Sequence, residues 1–272
     1  MVYVLFFLKA LWYTLGIVVI CGLCVSFFRF LFEKMLGGRW GYRVVLATSI
    51  VGTPIHELGH ALMCLLFGHR ITAMALWQPR AKDGTIGFVT HTFNRRNPYH
   101  VLGNLFIGVG PIFSGMAVLT LAVWLGFPSA FGGFITAAHQ AAQSGDIPGM
   151  LFEGLSLLPR MGQELIGGDP TSLWRSIPAI LLILAVSQHI SLSVEDIKGA
   201  LRAVPLYLLL IVILTVICGL LGGTVMDAVL GGLALFSGYM TAFFLLALAA
   251  SLIQIVLAVP FWILRLVFFR RK

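Results

Sequence analysis

Residues 44–67 read VVLATSIVGTPIHELGHALMCLLF, an apolar stretch with a polar centre. A helix needs about 20 residues to cross a bilayer core, so the stretch is long enough. Its middle nevertheless holds His56, Glu57 and His60. An ionisable residue at that depth costs roughly 2.5–3.5 kcal/mol or more unless something offsets it. On a helix, His56 and His60 stand about 6 Å apart along the axis and some 40° apart around it, so both imidazoles can reach one metal ion. Glu57 falls beside that face, where a general base for water belongs. Buried polar glue between helices is the plainer alternative, but it does not require a carboxylate between histidines at this spacing. The preceding Gly52-Thr53-Pro54 is expected to bend the helix and open a wet cavity beside the site. Small Gly59 and Ala61 would admit a neighbouring helix.

The rest of the chain suits a membrane. Of 272 residues, 59% are apolar and 10% charged, and the mean hydropathy is +0.99. Soluble domains carry about 25% charged residues, which excludes a water-soluble enzyme, and the apolar content excludes a disordered chain. Six stretches are predicted to span: Leu11–Phe32, Val44–Phe67, Val101–Phe127, Trp174–Leu192, Ala203–Leu221 and Val229–Val259. Lipid offers no partner to an open backbone, so all are expected to be helices. Pro260 is expected to end or kink the last. The alternating runs Ile71–Trp77 and Thr85–Thr92, around Lys82-Asp83-Gly84, predict a β-hairpin. Phe134–Gln143 and Met150–Leu158 predict short amphipathic helices on the membrane surface. The fold class expected is thus an all-α polytopic membrane protein of about six transmembrane helices, with a small hairpin after the HExxH helix.

The net charge is +8. Lys and Arg gather where spans meet headgroups, so a lipid surface rather than nucleic acid is the expected partner. Six spans would leave twelve of the basic residues on the side of the termini and six on the other. That asymmetry predicts a multi-pass protein of the plasma membrane with both termini in the cytoplasm. Cys21, Cys24, Cys64 and Cys218 all lie in apolar runs and read as packing residues.

A catalytic zinc takes three protein ligands and keeps one position open. The motif supplies two. Among the ten acidic residues, Glu195 and Asp196 at the end of the fourth span remain open as the third. Ser193-x-x-Asp196 also has the pattern of a helix-capping box. His189, two turns earlier, is a rival ligand or a hydrogen-bond donor to the reacting carbonyl. His69, His91, His100 and His139 read as interfacial or loop residues.

With His56-Glu57-Leu58-Gly59-His60 inside a span, Gly110-Pro111-Ile112-Phe113-Ser114-Gly115 in the next helix, and an aspartate closing a later one, the chain resembles the site-2 protease family of intramembrane zinc metalloproteases. The resemblance covers residues 42–202. It departs at the last motif, where the family's Leu-Asp-Gly is Glu195-Asp196-Ile197-Lys198-Gly199. It implies one Zn²⁺ ion held by His56, His60 and Asp196, with Glu57 as the catalytic base. It further implies a hairpin that holds the substrate, a membrane protein or membrane peptide cut in or near its transmembrane segment. The chain would then divide into an anchor helix at 1–41, a metalloprotease core at 42–202 and two C-terminal helices with a basic tail at 203–272. A non-catalytic zinc-binding scaffold and a metal-ion transporter are the alternative readings.

Overall fold

The structure is a computed structural model that describes residues 1–79, 85–143, 147–168 and 172–268. Helix α1 (Val2–Leu11) continues through a π turn at Trp12–Gly16 into α2 (Ile17–Leu36). Then come α3 (Gly38–Leu66), strands β1 (Arg70–Ala75) and β2 (Phe88–Thr92), and α4 (Pro98–Gly126). The chain goes on through α5 (Pro128–Gln143), α6 (Ile147–Gly167), α7 (Leu173–Ser187), α8 (Val194–Leu201), α9 (Val204–Leu221) and α10 (Gly223–Phe268). The molecule is mostly helical, with one small antiparallel sheet.

Among the described residues, four helical segments are long and apolar enough to cross a membrane: Val2–Leu36, Pro98–Gly126, Val204–Leu221 and Gly223–Arg265. Two of the six predicted spans do not meet that standard. α7 has 15 residues, short of the roughly 20 that a bilayer core needs. α3 has the length, but His56, Glu57 and His60 lower its hydropathy. Of the two outcomes expected at Pro260, an end to the helix is excluded: α10 runs through it to Phe268. Proline forfeits only one backbone bond, and apolar residues on both sides favour continuing the helix.

α3 is inverted relative to a helix in water. Ser49, Thr53, Glu57, His60 and Cys64 form its buried stripe, while Val51, Leu58, Leu62 and Leu65 are exposed. Soluble helices bury the apolar stripe and expose the polar one. Such a helix suits an apolar surrounding, in agreement with a membrane protein.

α4 is the central element, buried along most of its length. Asn97 starts it, its side chain accepting a hydrogen bond from the Tyr99 backbone N–H at 3.0 Å, with Pro98 at the first helical position. Missing side chains let its neighbours come close. A Cβ on Gly59 of α3 would lie 2.6 Å from the Gly110 carbonyl oxygen. One on Gly108 would lie 2.6 Å from the Asp196 carbonyl oxygen of α8. These two approaches bring α3 and α8 together across α4. The expected role of Gly59 is met directly.

The two surface helices predicted between residues 128 and 173 are longer than expected. α5 and α6 bury Phe134 and Leu157 in the larger apolar cluster, together with Phe127 and Phe244. A second cluster, with Phe6, Leu105, Tyr207 and Ile211, joins α1, α4 and α9. The predicted hairpin forms, with Met74 opposite Val89 and Ala75 opposite Phe88. Its strands are shorter than their sequence signals, and Lys82-Asp83-Gly84 lies outside the described residues.

Candidate metal centre

His56 and His60 project from the same face of α3, and their Nε2 atoms are 3.1 Å apart. Each ring is held from behind. His56 Nδ1 donates to the carbonyl of His189 at 2.7 Å, and His60 Nδ1 donates to the carbonyl of Ile107 at 2.7 Å. A neutral imidazole that donates from Nδ1 has a bare lone pair on Nε2. Both Nε2 lone pairs therefore face each other.

Asp196 enters from the first turn of α8. Its Oδ2 accepts the Ser193 backbone N–H at 2.7 Å, and its own N–H donates to Ser193 Oγ at 3.1 Å. The capping box seen in the sequence is thus present. It also aims the carboxylate: Oδ1 lies 3.2 Å from His60 Nε2 and Oδ2 lies 3.8 Å from His56 Nε2. Capping and a place at the site coexist in one side chain. Glu195, the other acid left open by the sequence, is not in the ligand group and pairs with Lys198 at 2.8 Å.

With both rings neutral, three acceptors converge without a donor, an arrangement that a cation would satisfy. One ligand atom from each of His56, His60 and Asp196 lies within 4.8 Å of the others, so the group could hold a metal ion. A tetrahedral ion with arms of ~2.0–2.1 Å needs ligand–ligand edges of ~3.3 Å; the two Nε2 atoms are 3.1 Å apart, and Asp196 offers Oδ1 to His60 at 3.2 Å and Oδ2 to His56 at 3.8 Å. The His60 and Asp196 side chains are 10% and 13% exposed, which leaves the group nearly closed but reachable.

The two carbonyls that orient the rings have local causes. Pro111 has no N–H, so the carbonyl four residues before it, that of Ile107, lacks its helical partner. His60 takes that acceptor. His189 follows the end of α7, where helix carbonyls run out of partners, and His56 takes its carbonyl. His189 itself is not in the ligand group. Its ring sits between Thr48 Oγ1 at 3.1 Å and Thr53 Oγ1 at 3.4 Å. The sequence singled out its imidazole, whereas its backbone does the positioning. Neither Ile107 nor Pro111 was among the candidates, although the rule that proline frees the carbonyl four residues back would have flagged Ile107.

Glu57 is 6% exposed and lies between two cavities that meet at the centre. One, of about 560 Å³, is lined by Arg29, Thr53, His56, Glu57, His189 and Ser191 among others. The other, of about 500 Å³, adds His60, Asp196 and the β2 residues Phe88 and Val89. Gly87, just before β2, crosses directly over Glu57: a Cβ there would be 2.9 Å from Glu57 Cγ. Arg29 of α2 reaches into the first cavity. It donates to Ser191 Oγ at 2.8 Å and pairs with Glu33 at 2.9 Å.

A second group of histidines lies where α3 passes into the hairpin. His69 Nε2 donates to the His100 carbonyl at 2.7 Å, so its Nδ1 accepts from His91 Nδ1 at 2.9 Å. Burial holds both His69 and His91 below the ordinary imidazole pKa, reinforced for His91 by His69 and His60. Cys64 is buried beside neither group as a ligand and remains a free thiol.

No protein-family model, no curated protein and no solved structure matches the chain.

Proposed function

We propose that the chain is an intramembrane zinc metalloprotease of the site-2 protease type, hydrolysing peptide bonds in or near the transmembrane segments of membrane proteins. One observation carries the reading. Two imidazoles and a carboxylate, from helices far apart in sequence, aim three acceptor atoms at one point, with a further carboxylate beside them in a cavity open to a strand edge.

His56, His60 and Asp196 would hold the ion. Zinc bound there supplies Lewis acidity toward a carbonyl oxygen and toward water. The chain's own residues do the rest. The carbonyls of His189 and Ile107 hold the two rings in the Nδ1–H tautomer and keep Nε2 available. Glu57 takes a proton from water on its carboxylate oxygen and returns it to the leaving amine. The outer edge of β2 has no strand partner among the described residues, and it borders the same cavity. A substrate segment that unwinds can add there as a third strand, which brings a peptide bond across Gly87 to Glu57.

The test is Glu57→Gln in the purified full chain, with metal content and cleavage both measured. The substitution should leave bound zinc unchanged and slow cleavage by about 10²–10⁴-fold, the usual share of a general base. Unchanged function with zinc present would favour the scaffold, and ion flux that survives the substitution would favour the transporter.

A further inference from the structure

We propose that Arg95 and Arg202 form an anion-recognising subsite beside the candidate metal centre, and that it reads a carboxylate side chain on the substrate segment. The proposal rests on the protease reading above and adds a substrate class to it. A third cavity, of about 420 Å³, lies at the far end of β2. Its walls come from β2, from Arg95 in the following turn, from Asn104 of α4, and from Gly199 and Arg202 at the end of α8. It shares Val89, His91, Asn104 and Gly199 with the cavity at the metal group. The two cavities are therefore continuous along β2.

The charge of this cavity is unbalanced. Among the described residues, no acidic residue lines it. Neither the Arg95 nor the Arg202 side chain has a hydrogen-bond or ion-pair partner among the described residues. Four other basic side chains are paired, Arg29 with Glu33, Arg160 with Glu153, Arg175 with Glu164 and Lys198 with Glu195, and what distinguishes Arg95 and Arg202 from other exposed arginines such as Arg70 and Arg96 is that they share the wall of one cavity. Two uncompensated guanidinium groups on one concave wall repel each other, and each offers planar donors that match a carboxylate.

Headgroup contact is the commoner fate of exposed arginine in a membrane protein. Position favours a peptide here. A strand added to β2 advances residue for residue with it. A bond cleaved over Gly87 would then place a residue about four to seven positions away against Arg95 and Arg202. Arg95 precedes the candidate span Pro98–Gly126 and Arg202 the span Val204–Leu221, so headgroup contact is the competing outcome, and the continuity of their cavity with the one at the metal group is what favours a peptide.

The probe is a leucine-rich membrane-spanning peptide with a central Gly-Pro pair, in which one Asp is walked through the eight positions on either side. Binding is measured to the full Glu57→Gln chain in phosphatidylcholine nanodiscs, and cleavage by the unsubstituted chain. Asp should tighten binding about tenfold, relative to Asn, only at positions four to seven residues from the cut. R95Q/R202Q should erase that advantage while leaving the Asn peptide's affinity unchanged. A flat profile, or an advantage that survives R95Q/R202Q, would overturn the subsite. So would a double variant whose only change is weaker binding to phosphatidylglycerol nanodiscs, which would assign the arginines to lipid. A position-dependent gain in binding without any cleavage would retain the subsite and reject the protease.

Discussion

Two groups of histidines sit at opposite ends of the same short region, and their wiring differs. At the hairpin, His91 donates to His69 and His69 donates to the His100 carbonyl, so each of these protons has an acceptor and the relay ends on the backbone. At the centre of α3, both Nδ1 protons go outward to carbonyls, and two Nε2 lone pairs meet a carboxylate. The first arrangement is complete without a further atom. The second brings three ligand atoms together and could hold a metal ion. Proximity of imidazoles therefore says little by itself; the direction of each N–H decides whether a cluster is a structural bond or a site.

The sharpest way to break this contrast is to remove one histidine from each group. His60→Ala should abolish stoichiometric metal binding in the purified protein, because it leaves only two ligands. His69→Ala should leave the metal content unchanged. Equal loss from both, read by elemental analysis, would mean that the metal depends on overall folding rather than on the α3 group.

A smaller effect is expected one layer out. Pro111→Ala restores an N–H that can bond the Ile107 carbonyl and compete with His60 Nδ1. Loss of such an orienting partner commonly weakens metal affinity 10–100-fold, and a competition titration with a chelator should read a value in that range. An unchanged affinity would show that His60 does not need Ile107 to face the ion.

The smallest expected effect belongs to the hairpin pair. Burial depresses both imidazole pKa values in the folded state, reinforced for His91 by His69 and His60 and, for His69, by His100. The unfolded chain, near the ordinary value of about 6.5, then binds protons that the folded hairpin refuses. Stability is fully present above that value and declines as pH falls below it toward the depressed pKa. Amide exchange in β1 and β2 should be faster at pH 5.5 than at pH 7.5 after correction for intrinsic rates, and His91→Asn should flatten the difference. Protection independent of pH would contradict the neutral pairing.

Much of this was legible in the residues, and the gaps have physical reasons. The HExxH spacing lies on one helix, so helix geometry alone brings His56, Glu57 and His60 together. The hairpin followed from alternation, which is also local. Asp196 is more than 130 residues from His60, and no local rule links them. Only a family resemblance singled it out, although Ser193 and Asp196 already announced the cap that aims it. The positioning carbonyls of Ile107 and His189 carry no side-chain signature, so a reading of residue types passes over them. Span limits were less legible. The hydropathy of α3 is diluted by the residues that matter most, and the continuation of α10 past Pro260 depends on its apolar surroundings rather than on proline alone.

X-ray absorption at the zinc edge of the purified full chain tests the convergence of His56, His60 and Asp196 most directly. The expected shell holds two imidazole nitrogens and carboxylate or water oxygen at ~2.0–2.2 Å, with no sulfur. A shell containing thiolate sulfur at ~2.3 Å, or a protein that retains no stoichiometric metal after zinc loading, would contradict it.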